Sequence, residues 1–246
     1  MSETGTGKDQ FYQAYRSTHV VHRKGEVSVA QFEKNAQNYA KKYREFLPRD
    51  LGAPIVELGC GDGAFIWWLN QLGFTSVAGL DISREQIERA NQLGVTNVRV
   101  GDMFQFLAEK GPDFRMIVLR DVIEHLRPDQ VLSVLRSCHD RLAPGGRLLI
   151  HVPNASSPFF GRIRYGDFTH ELAFTANSLS QVFNLIGFRD HQFKSDESAV
   201  CGLRGLPRYL CWKVTEAVYK FFLTSEIGFG QKIVTQNLVA CTDKPR

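Results

Sequence analysis

The sequence predicts an α/β protein built on a doubly wound, largely parallel sheet. Three observations carry that prediction. Five short apolar runs, PIVELGC, SVAGLDIS, NVRVGD, FRMIVLRD and GRLLIHVPN, alternate with segments of helical periodicity. The first run leads directly into glycines at alternate positions, Gly59, Gly61 and Gly63, as in a tight strand-to-helix turn. Glu57 and Asp81 stand at run ends, and sheets of this class bind ligands beyond the carboxyl ends of their strands.

Residues 1–28 are polar and are expected to form a flexible segment ahead of a single domain at 29–246. A helix is predicted at 28–47, capped by Ser28, because Phe32, Ala36, Tyr39, Tyr43 and Phe46 recur at helical spacing. AFIWWLNQLG follows the glycine turn as a helix. SREQIERANQLG is a second, with Ser83 and Gln86 spaced for a capping box. MFQFLAEK, PDQVLSVLRSCHDRL and ANSLSQVFNLIGF are further helices, and the turn APGG introduces the fifth strand. RDHQFKSD is expected as a sixth strand parallel to the first five, and GQKIVTQNLVACTDK as a seventh, antiparallel one.

Between these last two strands, about 197–228 is too long for a simple connection and predicts a helical insertion. Leu210, Val214, Val218 and Phe221 share one helical face there, and Arg204, Arg208, Lys213 and Lys220 add positive charge. Peripheral membrane contact through 204–223 stands against a lid packed on the domain or a dimer contact. The packed arrangement is the commoner use of such a face. The sequence carries no signature of oligomeric state.

Composition narrows the function classes. The 246 residues are 43% hydrophobic and 23% charged, with a net charge of +4, within the range of a globular domain. No long Lys/Arg run is present to track nucleic-acid phosphates, and no nucleic-acid partner is expected. Cys60, Cys138, Cys201, Cys211 and Cys241 are scattered without CxxC spacing, which argues against a disulfide framework or zinc site. The polar start MSETGTGKDQ lacks a signal-peptide core, so a cytoplasmic location is expected.

The glycine turn discriminates between ligands. A dinucleotide site spaces its glycines GxGxxG over a pyrophosphate. Here the pattern is ExGxGxG, and the Glu57 carboxylate would repel a pyrophosphate and suit a cation. A nicotinamide-dependent oxidoreductase is therefore disfavoured. Asp81, about twenty residues on, is placed to accept hydrogen bonds from ribose hydroxyls.

VELGCGDG, GLDIS and GDMFQFL, in order and at strand ends, resemble the cofactor segments of class I S-adenosylmethionine-dependent methyltransferases over residues 30–195. The resemblance implies a Rossmann-like seven-stranded sheet with helices on both faces. It also implies that S-adenosylmethionine lies against Glu57, Gly59, Cys60, Gly61 and Gly63. Asp81 would hold the ribose, Ile82 and Met103 would pack on the adenine, and Asp102 would bind its amine. LRDVIEHL, at the end of the fourth strand, is similar to ubiquinone-biosynthesis and polysaccharide-associated methyltransferases. It puts Arg120 and Asp121 at the methionine end, and Glu124 and His125 near the acceptor.

The stretch PNASSPFFGRIRYGDFTHELAF leaves the fifth strand at its carboxyl end and so lies over the site. Its GD.TH core is similar to methyltransferases of bacterial glycan and lipopolysaccharide clusters. The expected function is O-methylation of a sugar or glycan hydroxyl. Alternatives are a phenolic or quinone-type small molecule, or a non-catalytic cofactor-binding regulator. A hydroxyl acceptor benefits from a general base. His170 leads, with Asp167 or Glu171 to orient it or take its place, and His125 as a further candidate. No metal is expected, although Asp121, Asp167 and Glu171 could meet in space.

Overall fold

The structure, a computed structural model, describes residues 27–111, 113–197, 205–228 and 233–246. The segment expected to be flexible lies outside the described residues except for Val27 and Ser28, and Arg204 also lies outside them. In chain order the elements are α1 (Val29–Tyr43), β1 (Ile55–Leu58), α2 (Ala64–Gln71), β2 (Val77–Asp81), α3 (Arg84–Gln92), β3 (Val98–Val100) and α4 (Met103–Ala108). Then follow β4 (Phe114–Arg120), α5 (Pro128–Arg141), β5 (Leu142–Pro153), α6 (Phe160–Arg164), α7 (Ala176–Ile186), β6 (Arg189–Ser195), α8 (Leu206–Ile227) and β7 (Asn237–Asp243).

The seven strands make one sheet, ordered β3-β2-β1-β4-β5-β7-β6. The first five are parallel. β7 runs antiparallel to both β5 and β6, so β6 points the same way as the first five, as expected. Alternation along the strands separates two core layers. Ile117 and Leu119 of β4 pack with Val134 and Leu135 of α5 and Phe183 of α7. Met116 and Val118 pack on the other face with Phe32 and Tyr43 of α1 and Phe65 and Trp68 of α2. Full burial of each such side chain stabilises by about 1.5–3 kcal/mol. Period two then brings Glu57, Arg120 and His151 onto the α1–α2 face, near the carboxyl ends of β1, β4 and β5.

Three local expectations are corrected. Ser83 precedes α3 but makes no capping bond; its hydroxyl is buried without a partner, and Gln86 is buried too. The Ser83 N–H instead donates to Asp81 Oδ1 at 2.8 Å. The APGG turn falls inside β5, where the β4 pairing jumps from Phe114↔Leu142 to Met116↔Arg147. The seventh strand runs Asn237–Asp243; of the segment expected ahead of it, Gly230, Gln231 and Lys232 lie outside the described residues, and the carbonyls of Ile233 and Thr235 accept from the Asn154 amide at 3.1 and 2.9 Å. Among the described residues, no helix is long and apolar enough to cross a membrane.

Candidate active site

The glycine turn is shaped by what lies behind it. Gly59 and Gly61 have φ of 77° and 55°, the left-handed region that favours glycine. A Cβ on Gly59 would stand 2.5 Å from Val122 Cγ2. Gly59 and Cys60 donate their N–H groups to the Leu80 carbonyl at 2.8 and 3.0 Å. Asp81 closes the clasp: its Oδ2 accepts from Gly61 N–H at 2.8 Å. Burial raises the Asp81 pKa, opposed by its two backbone N–H donors.

A cavity of about 1360 Å³ opens above this turn, larger than a pocket for one small ligand, ~300–1,000 Å³. It is lined by Glu57, Gly59, Cys60, Gly61, Asp81, Ile82, Asp102, Met103, Arg120 and Asp121, together with His125, Asp167 and His170. Gly63, grouped with the cofactor residues from sequence, is not among the lining residues. It precedes α2 with φ 77°, where a Cβ would press on Val95 at 3.0 Å, so it serves helix packing. Asp102 caps α4, its Oδ1 accepting from Phe104 and Gln105 N–H at 2.8 and 3.0 Å. Ile82 presents an exposed apolar side chain at the rim.

Beneath the cavity the charges are deeply set. Burial pushes the Glu57 carboxyl up to about 8, against the pull of Arg120, whose guanidinium is 3.5 Å away. Arg120 lies 4.7 Å from the Tyr39 ring centroid and 4.8 Å from that of Phe65, a cation–π cage in which it stays charged. Asp121, at φ 55°, faces His151, whose Nδ1 donates to Oδ1 at 2.8 Å. His151 Nε2 points to Asp196 Oδ2 at 3.4 Å. Burial alone would lower the His151 pKa; the two carboxylates outweigh it and raise it to about 10.

On the acceptor side the α6 loop meets the turn after β4. The carbonyl of Glu124 accepts from Glu171 and Leu172 N–H at 2.7 and 3.0 Å, stitching the two together. Asp167 Oδ1 accepts from both the N–H and hydroxyl of Thr169, at 2.9 and 2.7 Å. The Thr169 oxygen therefore accepts in turn from His125 Nδ1, 2.9 Å away. His170 Nδ1 donates to the Ile163 carbonyl at 3.0 Å. These partners put the ring protons on Nδ1 and leave Nε2 as the basic atom of both imidazoles. The ring centroids are 4.7 Å apart. Burial and the neighbouring His170 push His125 down to about 4, so it is neutral at pH 7.

Glu124, placed near the acceptor by the resemblance, is fully buried, and neither carboxylate oxygen has a hydrogen-bond partner. Burial raises its pKa well above the carboxylate range. Glu124, His125 and His170 each offer a ligand atom, all within 4.8 Å of one another. That is a different set from the acids considered from sequence. The sequence reading missed Tyr39, Gln86 and His151 as site residues. Of these only His151 left a signal, an imidazole inside the apolar run LLIHV.

The family described as Methyltransferase domain matches residues 32–192. The ubiquinone biosynthesis O-methyltransferase of Xanthomonas axonopodis pv. citri is 28% identical over 114 residues, 44% of this chain and 46% of that protein. The chain thus spans about half the length of the curated relatives it matches. A SAM-dependent methyltransferase from Archaeoglobus fulgidus superposes with TM-score 0.64 at 18% identity, covering 87% of this chain and 94% of that one. The magnesium protoporphyrin IX methyltransferase of Synechocystis, solved with bound SAH, superposes at 0.59 and 13% identity, covering 96% and 98%. With its strand order, glycine clasp and cavity, the chain belongs to the methyltransferase family.

Proposed function

We propose that the chain is an S-adenosylmethionine-dependent enzyme that methylates a hydroxyl oxygen of a phenolic, quinone-type small molecule. The carrying observation is the imidazole pair of His125 and His170, with ring centroids 4.7 Å apart and Nδ1 atoms tied to Thr169 and to the Ile163 carbonyl. Burial holds His125 down to about 4 and raises the Glu124 carboxyl well above the carboxylate range, and the Nδ1–H of His170 on the Ile163 carbonyl turns its Nε2 to the role of proton acceptor. An imidazole base serves an acidic hydroxyl best, and a phenol, with pKa about 10, is such an acceptor. The likeness to ubiquinone biosynthesis O-methyltransferases supports the same acceptor class.

S-adenosylmethionine supplies a methyl group on a cationic sulfur, which the hydroxyl oxygen displaces in line. Asp81 would hold the ribose, and Asp102, Ile82 and Met103 the adenine. Glu57, Gly59, Cys60, Gly61, Arg120 and Asp121 would form the methionine end. Asp167, acting through Thr169, fixes the His125 ring. His170 takes the hydroxyl proton as the oxygen–carbon bond forms.

A second reading is favoured by the two unpartnered oxygens of Glu124. Glu124, His125 and His170 would hold a divalent cation, which would acidify the acceptor hydroxyl in place of a base.

The test is methyl transfer from labelled S-adenosylmethionine to a matched panel of catechols, monophenols and sugar nucleotides. Preferred turnover of catechols supports the proposal. Turnover confined to sugars returns the acceptor to the glycan class predicted from sequence.

A further inference from the structure

Helix α8 is amphipathic in the reverse sense. Leu206, Leu210, Val214, Val218, Phe221 and Phe222 all point outward, with exposures from 45% to 68%. Their spacing of three and four residues makes one continuous stripe. The charges turn the other way. Lys213 donates to Glu197 at 2.5 Å and to Glu216 at 2.8 Å, Lys220 donates to Glu216 at 2.8 Å, and Glu216 is buried. A surface helix in water has the opposite arrangement, and a contiguous exposed apolar patch marks a contact surface.

The surroundings of the stripe say what covers it. Trp212 meets Phe159 with ring centroids 6.4 Å apart, and this joins α8 to the exposed Phe159 and Phe160 at the start of α6. Segment 158–166 carries Arg162 and Arg164, segment 206–212 carries the exposed Arg208, and neither contains an acid. The joined surface is apolar with a basic border. That is the complement of acyl chains under anionic headgroups. We infer that α8 and the start of α6 dock the enzyme on an anionic membrane surface, lying in the interface without crossing it. The α6 loop also carries Ile163 and His170 of the cavity wall, so docking sets the acceptor side of the site against the bilayer. The inference is independent of the acceptor's identity.

The full chain is sedimented with vesicles of phosphatidylcholine and of phosphatidylcholine mixed with phosphatidylglycerol. The expected result is at least ~10-fold tighter association with the anionic vesicles, weakening as salt rises. Val214→Glu combined with Phe221→Glu should abolish it, and Arg162→Glu combined with Arg208→Glu should erase the preference for anionic lipid. S-adenosylmethionine affinity by calorimetry should stay unchanged in both variants, since none of these residues lines the cavity. Wild type that ignores both vesicle types, or variants that bind as wild type does, overturn the inference. A concentration-dependent dimer in analytical ultracentrifugation that Val214→Glu dissolves, without vesicle binding, assigns the face to a second copy and also overturns it.

Discussion

Replacing Gly59 by alanine tests the glycine turn quantitatively. Two costs arise separately. At φ 77° an L-residue loses about 1–2 kcal/mol against glycine. The new Cβ would also stand 2.5 Å from Val122 Cγ2, where carbon atoms prefer ~3.5–4.0 Å. An overlap of that size in a packed site costs about 1–3 kcal/mol. Val122 cannot retreat freely, because the preceding Asp121 is tied to β5 by its N–H on the His151 carbonyl at 2.9 Å and by its carboxylate. Gly59→Ala should therefore destabilise by about 2–5 kcal/mol. Val122→Ala alone should cost about 1 kcal/mol. In the double variant the overlap disappears and the backbone cost remains. It should be about 1–3 kcal/mol more stable than the sum of the single changes predicts. Urea denaturation of the four proteins measures this coupling, with S-adenosylmethionine affinity by calorimetry in parallel. Strict additivity would refute the close approach of Gly59 and Val122.

Asp81→Ala removes the acceptor for the Gly61 and Ser83 N–H groups, each charge-assisted bond worth about 1.5–3 kcal/mol. Both thermal stability and S-adenosylmethionine affinity should fall, and unchanged affinity would remove Asp81 from the cofactor site. His170→Ala should lower turnover by ~10²-fold or more with little change in cofactor affinity; a loss of only a few-fold would deny His170 the role of base. Stability should also depend on pH through His151. Its pKa is raised in the fold to about 10 from 6.5, so its contribution is complete below pH 6.5 and is lost as pH rises through about 10. The difference should be on the order of a few kcal/mol and vanish in His151→Asn, which denaturation at pH 6 to 10 would show. EDTA should leave turnover intact, and Glu124→Gln should stay within a few-fold of wild type. If both treatments abolish activity, the cation reading of Glu124, His125 and His170 replaces the base.

The residues legible in the sequence are those whose partners are close in the chain or fixed by strand order. Gly59, Gly61 and Asp81 belong to one turn and the end of the neighbouring strand, so spacing alone brought them together. His151 showed only as an imidazole in an apolar run; its partners were not legible, because Asp121 and Asp196 reach it only through the pairing of β5 with β4 and of β6 with β7. The resemblance put Glu124 near the acceptor, but its burial was not legible, because it depends on the α6 loop folding over it. The Ser83–Gln86 spacing suited a capping box, but Asp81 competes for the Ser83 N–H. Helix α6 was missed because five residues are too few to show a period. For α8 the sequence revealed the apolar face and not its direction, which is set by the pairing of Lys213 with Glu197.

The position of β7 between β5 and β6 imposes an order on synthesis. β6 joins the sheet only through β7, so a nascent chain that has released β6 has no place for it until residues 237–243 have left the ribosome. The five parallel strands, which carry the glycine clasp, can associate earlier. During that interval the outer edge of β5 is open to other chains. The enzyme's exposure to misassembly is therefore greatest in the time taken to translate α8 and the strand that follows it.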